Sequence, residues 1–177
     1  MLRINTRKIA FAGVIAALYA ALTITLTFAS YGPIQLRIAE VLCILPFFFP
    51  FSVWGLFVGC ILANLLSPYQ LDIVVGPIAS LLAAISTMQI GKLGRERLSI
   101  KALACLPPVI FNAVFIGALI AFYAVSGGEA ETFLSAFIIN GLWVGLGQSI
   151  VLYALGLPLM IYLPKSQVFD RLSEIYR

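Results

Sequence analysis

Residues 31–46 read YGPIQLRIAEVLCILP, and they place Gln35, Arg37 and Glu40 at the beginning of an apolar segment. A charged side chain at the centre of a bilayer costs about 2.5–3.5 kcal/mol on insertion scales. A chain with apolar runs on both sides of this stretch would avoid that cost unless the polar groups recognise a ligand or join helices at a buried junction. We therefore interpret the stretch as one wall of a small-molecule site.

The composition identifies the environment of the chain. Of its 177 residues, 62% are apolar and only 10% are charged. Soluble domains are about 45–50% apolar and about 25% charged. A soluble fold with this composition would lack polar residues for its surface, whereas long apolar runs form helices in a bilayer. The sequence thus predicts an all-α integral membrane protein with a single membrane domain, residues 1–177.

The sequence lacks histidine and the motifs of several enzyme classes. It has no histidine, and its three cysteines lie in apolar runs without the spacing of a metal site or a disulfide framework. It has neither a phosphate-binding loop nor a nucleophile elbow. The net charge of +4 comes from basic clusters beside apolar runs, which orient membrane proteins. We therefore expect no enzyme activity, cofactor, metal site or nucleic-acid partner.

Apolar segments follow one another along the whole chain. Two prolines, Pro46 and Pro50, are hard to keep inside one straight helix, so we divide the long run that begins at Ile38 near Pro50. The first apolar run is longer than the 7–15 apolar residues of a signal peptide, which favours a membrane span. The predicted spans are 9–29, 38–50, 52–66, 71–90, 102–125 and 133–163.

The charge distribution supports six spans. With six, the N-terminus, the basic loop at 92–101 and the C-terminal tail all lie on one side. That side then holds every lysine and arginine except Arg37. Because basic residues flank membrane spans on the cytoplasmic side, we expect a six-helix bundle in the cell membrane with both termini cytoplasmic.

Polar side chains group near the connections that would face outward in this arrangement. Unpartnered polar atoms in an apolar environment cost about 1–3 kcal/mol, so these residues must bond to one another or to a polar ligand. The candidate substrate-binding residues are Gln35, Arg37, Glu40, Asn64, Tyr69, Asp72, Asn112, Trp143 and Gln148.

Structural alternatives stay open for these residues. Arg37 and Glu40 have the i,i+3 spacing of an ion pair at the membrane surface. Asp72 follows a turn and is suited to capping the next helix. The two candidate asparagines are also suited to interhelical hydrogen bonds, and the two aromatic residues to an interfacial belt.

The first span carries two parallel rows of small residues, which permit close helix approach. This strip packs either within the chain or against another membrane protein. The rows are Ala12, Ala16 and Ala20, and Gly13, Ala17 and Ala21.

Four stretches together resemble the QueT family, and the first two are the most specific. They are YGPIQLRIAE at 31–40, GCILAN at 59–64, PPVIFN at 107–112 and GLG at 145–147. Members of this family are substrate-binding S components of energy-coupling factor (ECF) transporters that import queuosine precursors. The resemblance implies an outward-facing pocket, a transmembrane T subunit that docks on the small-residue strip, and two cytoplasmic ATPase subunits.

The resemblance also implies a 7-deazaguanine substrate, such as the 7-aminomethyl or 7-cyano base, or queuine. The acidic candidates would accept its N–H groups, the arginine and amide candidates would donate to its carbonyl oxygen, and the aromatic candidates would stack on its ring. One position departs from the family, which often has a glutamate where this chain has Gln148. The alternatives are an S component for another vitamin or nucleobase, a stand-alone secondary transporter, and a purely structural membrane subunit.

Overall fold

The computed structural model describes residues 6–30 and 36–174, and every regular element within those ranges is helical. The α-helices are α1 (Thr6–Thr25), α2 (Thr27–Ser30), α3 (Leu45–Phe48), α4 (Ser52–Asn64), α5 (Asp72–Ile90), α6 (Leu98–Ala104), α7 (Leu106–Ser126), α8 (Phe133–Val151), α9 (Leu157–Tyr162) and α10 (Gln167–Glu174). Short 3₁₀ helices lie at Ile38–Ile44, Gly91–Leu93 and Leu163–Lys165, and a π-helical turn lies at Leu152–Gly156.

Four helical segments of the described chain have the length and apolarity needed to cross a membrane. They are Thr6–Thr25, Asp72–Leu93, Leu98–Ser126 and Phe133–Lys165. Two further apolar helical segments, Ile38–Phe48 and Ser52–Asn64, are shorter than the roughly 20 residues that span a bilayer. The prediction of an all-α membrane protein is thus confirmed for the described residues. The count of six crossings stays a prediction.

Prolines determine where several helices begin. Pro46 lies in the first turn of α3, where its missing N–H removes no helical hydrogen bond. Pro50 lies in the break between α3 and α4, as the sequence predicted. Pro158 lies in the first turn of α9, after the π-helical turn, so the last long segment continues past it. Pro77 lies inside α5, and that helix also continues.

Contacts between residues far apart in sequence establish the direction of each helix. Tyr19–Glu40 and Phe11–Phe49 relate α1 to the segment around Ile38–Phe48, and Ala12–Gly55 and Ala16–Gly59 relate α1 to α4. Cys60–Ser80 and Asn64–Gly76 relate α4 to α5, and Leu71–Tyr123 and Thr87–Ala104 relate α5 to α6 and α7. Gly117–Gly141 and Ala113–Gly145 relate α7 to α8. Helices α1, α4 and α7 run one way, and Ile38–Phe48, α5 and α8 run the other. The beginning of α1 and the end of the segment that follows α8 therefore lie at the same end of the bundle.

The two ends of the bundle differ in charge. We call the end at which α1 begins and α5 ends the basic end, and the end at which α4 ends and α5 begins the acidic end. Among the described residues, basic side chains outnumber acidic ones at the basic end, which carries Arg7, Lys8, Lys92, Arg95, Arg97, Lys101, Lys165 and Arg171 against Glu96, Asp170 and Glu174. The acidic end carries Asp72, Glu129 and Glu131 against Arg37.

An aromatic core closes the basic end. The rings of Phe48 and Phe49 each lie 5.4 Å from the ring of Phe169 in α10, measured between centroids. Leu172 of the same helix packs against this cluster. Helix α10 is amphipathic, and its residues Phe169 and Leu172 pack on this end of the bundle.

The two rows of small residues on α1 lie in different surroundings. Ala16 and Ala20 are buried, and a Cβ built on Gly59 of α4 would lie 2.9 Å from the Ala16 carbonyl oxygen. The row of Ala12, Ala16 and Ala20 thus packs within the chain. The second row, Gly13, Ala17 and Ala21, is exposed. Its docking role stays a prediction.

Candidate functional site

A buried ion pair lies at the acidic end of the bundle. Nη2 of Arg37 lies 3.0 Å from Oδ2 of Asp72, and the two side chains are only 3% and 0% exposed. Arg37 also donates from Nη1 to Oδ1 of Asn64 at 3.4 Å and from Nε to the carbonyl oxygen of Ser30 at 3.2 Å. One guanidinium thereby joins α2, the 3₁₀ helix Ile38–Ile44, α4 and α5. This fork of planar donors is geometry that lysine could not reproduce.

Asp72 receives further hydrogen bonds from the end of α4 and from the turn that joins α4 to α5. Ser67 donates to its Oδ2 at 2.9 Å, and Asn64 donates from Nδ2 to its main-chain oxygen at 2.9 Å. The N-cap residue of α5 is Leu71, so the capping alternative for Asp72 is wrong. Its charge lies in the first turn of α5 and is also favoured there by the helix dipole. We call Ser30, Arg37, Asn64, Ser67 and Asp72 the Arg37 cluster.

Gly76 makes room for this cluster. A Cβ built on Gly76 would lie 2.1 Å from Nδ2 of Asn64 and 2.7 Å from Oδ1 of Asp72. Both distances are far below van der Waals contact, so a larger residue one turn after Asp72 would displace the Asn64 amide or the Asp72 carboxylate. They also show that Oδ1 of Asp72 lies against the α5 backbone, in the crevice between α4 and α5.

Glu40 is buried deeper in the bundle than the Arg37 cluster. Its Oε1 accepts a hydrogen bond from the Tyr19 hydroxyl at 2.5 Å, and its Oε2 accepts one from Sγ of Cys43 at 3.0 Å. Glu40 is 1% exposed. The alternative of an Arg37–Glu40 pair at the membrane surface is wrong, because both side chains are buried and Arg37 is directed to Asp72.

Helix register places Asn112 and Gln148 at one depth in the bundle. Gly117 lies opposite Gly141, and Ala113 lies opposite Gly145, in antiparallel helices that approach closely. At a rise of 1.5 Å per residue, Asn112 and Gln148 are therefore only about 3 Å apart along the axis.

The same register argument extends to the other helices. Leu71 and Thr87 of α5 lie opposite Tyr123 and Ala104, which brings Asn112 level with Ser80. Ser80 contacts Cys60 of α4. The residue before it, Gly59, packs on Tyr19 of α1, and the Tyr19 hydroxyl donates to Glu40. We call this level the middle layer; its polar members are Tyr19, Glu40, Cys60, Ser80, Asn112 and Gln148.

Two amide atoms of the middle layer have no hydrogen-bond partner. Nδ2 of Asn112, a donor, and Oε1 of Gln148, an acceptor, are both buried and unpartnered among the described residues. A third buried side-chain atom without a partner among the described residues, Oδ1 of Asp72, belongs to the Arg37 cluster. Each unpartnered buried group costs about 1–3 kcal/mol. The arrangement can therefore gain free energy by binding a ligand that offers an acceptor and a donor.

The remaining candidates lie at the periphery or outside the described residues. Tyr69 is half-buried near the acidic end, and its ring centroid lies 5.1 Å from that of Tyr123. Burial, followed by the carboxylates of Glu129 and Asp72, raises the pKa of the Tyr69 hydroxyl above its ordinary value, so it is neutral at physiological pH. Trp143 is 45% exposed on α8, and its stacking role stays a prediction. Gln35 lies outside the described residues.

Several residues of the site escaped the sequence reasoning. Tyr19 and Ser67 bind the two buried carboxylates, and the Tyr123 hydroxyl accepts a hydrogen bond from the main-chain N–H of Leu71 at 3.2 Å. One signal for Tyr19 was available. It follows Ala16 by three residues and therefore lies on the small-residue face that packs against another helix.

Comparison with known proteins identifies the family. Residues 9–165 match the family model described as QueT transporter. The chain belongs to the QueT transporter family. The resemblance drawn from the sequence is therefore confirmed, and so is the expectation that the chain is not an enzyme, since this is a family of transporters.

A curated relative supports the same assignment over part of the chain. The chain is 37% identical over 83 residues to "Queuosine precursor transporter QueT" of Lactococcus lactis subsp. cremoris (strain MG1363). That alignment covers 46% of this chain and 49% of the relative, so the chain spans about half the length of the curated relative that it matches. No solved structure matches the chain at a significant level.

Proposed function

We propose that this chain is the substrate-binding S component of an ECF importer and that it captures a queuosine precursor of the 7-deazaguanine class. The observation that carries the proposal is the pair of unpartnered buried atoms in the middle layer, Nδ2 of Asn112 and Oε1 of Gln148. Membership of the QueT transporter family supports a small-molecule cargo, and the printed name of the curated relative supports its class.

The chemistry of the two amides suits one edge of such a base. A 7-deazaguanine carries a ring N–H beside a carbonyl oxygen. The N–H would donate to Oε1 of Gln148, and the carbonyl would accept from Nδ2 of Asn112. The pair is neutral, so it can be buried without the large desolvation cost of a charge. Binding would supply partners to both amides at once and remove their unfavourable burial.

The Arg37 cluster has a supporting role in this proposal. Its ion pair and hydrogen bonds connect four elements at the acidic end, and they leave the guanidinium engaged by protein groups. The cluster would hold the entrance to the middle layer in one geometry. Preorganisation of this kind lowers the entropic cost of ligand binding.

The proposal includes six membrane crossings with both termini cytoplasmic, in a multi-pass protein of the bacterial plasma membrane. The alternating directions of the six helical segments and the basic end support this topology. The shorter segments Ile38–Phe48 and Ser52–Asn64 would cross the membrane where neighbouring helices and polar residues, and not lipid, surround the ends of the segments.

The proposed energy source is external to the chain, because its sequence has no phosphate-binding loop. A transmembrane T subunit and two cytoplasmic ATPases would supply it. The exposed row of Gly13, Ala17 and Ala21 offers the T subunit a flat surface for close helix packing.

A ligand screen on the purified protein tests the proposal. In detergent, 7-deazaguanines are expected to raise the melting temperature in a saturable way, because a ligand that binds only the folded state stabilises it by mass action. Canonical nucleobases and flavin-type vitamins serve as comparison ligands. Stabilisation by one of those and not by any 7-deazaguanine would contradict the substrate class. Uptake into liposomes without ATPases, driven by an ion gradient, would favour a secondary transporter.

A further inference from the structure

We propose that a groove on the outer side of α1 binds one anionic phospholipid, with the lipid phosphate at Arg7 and an acyl chain along the groove. The proposal concerns the lipid-facing surface of the bundle and does not depend on the transported substrate. Three observations carry it: the apolar lining of the groove, its length, and the charge at one of its ends.

The groove is an apolar channel that is open toward the membrane. It has a volume of about 500 Å³. Its floor belongs to the packed interior, because Ile15 is buried there and Phe11 and Leu45 pack against the buried core. Its rim on α1 is open, since Val14 is 57% exposed and Leu18 is 48% exposed. A concave apolar surface of this kind is suited to a hydrocarbon chain that fills it and packs on its floor.

The length of the groove matches one leaflet of a bilayer. The groove follows α1 from Arg7 to Leu18, and a helix rises about 16 Å over that interval. The hydrocarbon core of a bilayer is about 30 Å thick, so each leaflet contributes about 15 Å. A charged side chain at the end of a membrane span lies at the level of the headgroups. With Arg7 at that level, the groove extends to about the middle of the bilayer, as an acyl chain does.

The groove is positively charged where it reaches the basic end. Arg7 lines it there and is exposed, and Lys8 follows in the chain. Leu172 of α10 lines the same end, but α10 itself carries two acidic residues and one basic one, so the positive charge comes from α1. The guanidinium presents a planar fork of donors that fits a phosphate group. An anionic headgroup complements this charge, whereas a zwitterionic headgroup brings a cation of its own.

A second groove of nearly equal size separates the effect of charge from that of shape. It has a volume of about 490 Å³ and lies between α5, α7 and α8, and none of the described residues that line it is charged. Leu71 and Phe133 place one end of it at the acidic end, near the exposed Glu129 and Glu131. This groove offers a lipid chain a similar apolar surface but no cation for a phosphate. It is therefore the internal control for the groove at Arg7.

Two lipids with the same acyl chains test the proposal on the purified protein in detergent. Phosphatidylglycerol is anionic and phosphatidylcholine is zwitterionic, and native mass spectrometry counts the lipid molecules that the protein retains. One phosphatidylglycerol is expected to be retained about fivefold more strongly than phosphatidylcholine, the scale of one basic residue at an anionic lipid surface. The preference should decrease as ionic strength rises, because the headgroup contact is exposed. Equal retention of the two lipids would overturn the proposal.

Charge variants then locate the headgroup. Arg7→Gln should remove the preference for phosphatidylglycerol, and Arg7→Lys, which keeps the charge, should retain most of it. Lys92→Gln is the matched control, because it removes an exposed charge from the same end of the bundle but outside the groove. Equal loss of the preference in Arg7→Gln and Lys92→Gln would overturn the proposal, since the basic end as a whole would then attract the lipid.

Filling variants locate the acyl chain. Val14→Trp fills the groove at Arg7 and should lower retention of phosphatidylglycerol about fivefold. Val114→Trp makes the same exchange at a 47% exposed valine of the second groove and should leave retention unchanged. Both positions are on the surface, so both variants are expected to fold. Unchanged lipid retention in Val14→Trp would overturn the proposal, and loss of co-purifying coupling subunits in that same variant would assign the groove to a protein partner instead.

Discussion

Arg37 and Asp72 are 35 positions apart in sequence and form a buried ion pair, with Nη2 of the arginine 3.0 Å from Oδ2 of the aspartate. The pair fixes the beginning of the 3₁₀ helix Ile38–Ile44 to the beginning of α5. It lies eight residues of α5, or about 12 Å along the axis, from Ser80 of the middle layer, on the side of the acidic end.

Removal of one partner of this pair should destabilise the protein strongly. Arg37→Met leaves Asp72 buried without its counter-charge, and the expected loss is about 3–5 kcal/mol in the free energy of unfolding. The double variant Arg37→Met/Asp72→Leu should recover much of that loss, because no buried charge remains. Reversible unfolding in mixed micelles measures both. An Arg37→Met variant as stable as one with Glu129→Gln at the exposed loop would contradict the structural role.

Gly76→Ala should disturb the same cluster without touching a charge. The added Cβ would meet Nδ2 of Asn64 at 2.1 Å and Oδ1 of Asp72 at 2.7 Å, so one of these groups must move. We expect a loss of about 1–3 kcal/mol in unfolding free energy, as for overpacking of a core. Gly13→Ala is the matched control, since a Cβ there meets nothing within 4 Å. A control that loses as much stability would show that the close contact is irrelevant.

The two small-residue surfaces of α1 should respond differently to larger side chains. Gly59→Val on α4 places a Cβ 2.9 Å from the Ala16 carbonyl oxygen and should impair folding. Gly13→Leu and Ala17→Leu lie on the exposed row and should leave ligand binding unchanged. If that row is the T-subunit surface, the two leucine variants should fail to co-purify with the coupling subunits. Normal assembly of both would contradict the docking prediction.

Tyr19→Phe should weaken the middle layer while keeping the ring in place. It removes the hydroxyl that donates to Glu40 at 2.5 Å. The loss of a buried hydrogen bond to a charged group is expected to cost about 1.5–3 kcal/mol in unfolding free energy. Tyr123→Phe removes a hydroxyl that is nearer the surface and serves as the control, with a smaller expected effect. Equal effects of the two substitutions, measured by thermal unfolding, would argue against a special role of Tyr19.

The sequence supported the class of fold because apolar length and charge placement are properties of local segments. It also identified Arg37, Asn64 and Asp72 as residues that need partners, and the structure brings these three together. The partner of Arg37 could not be predicted, because the local i,i+3 option at Glu40 and the distant option at Asp72 satisfy the same chemistry. Only the packing of the Ile38–Ile44 helix beside the beginning of α5 decides between them.

Other features could not be predicted for a similar reason. Tyr19 lies on the small-residue face of the first span, which signals burial, but its partner Glu40 could not be read from that position. The short length of Ser52–Asn64 follows from the tertiary turn that presents Asn64 and Ser67 to Asp72. Trp143 looked suitable for stacking, yet its exposure depends on how α8 is rotated against α7, and hydrophobic content on all sides of α8 leaves that rotation undetermined.

The central claim is that Asn112 and Gln148 form the polar part of a ligand site, and one calorimetric series tests it most directly. Wild-type protein, Asn112→Leu, Gln148→Leu and the control Asn140→Leu are titrated with the 7-deazaguanine that binds best. Asn140 is a suitable control because its amide donates to the main-chain oxygen of Ala136 in its own helix. The account predicts binding about tenfold or more weaker in the first two variants, since each loses a buried hydrogen bond to the ligand, and near-normal binding in the control. Unchanged affinity in Asn112→Leu and Gln148→Leu would contradict it.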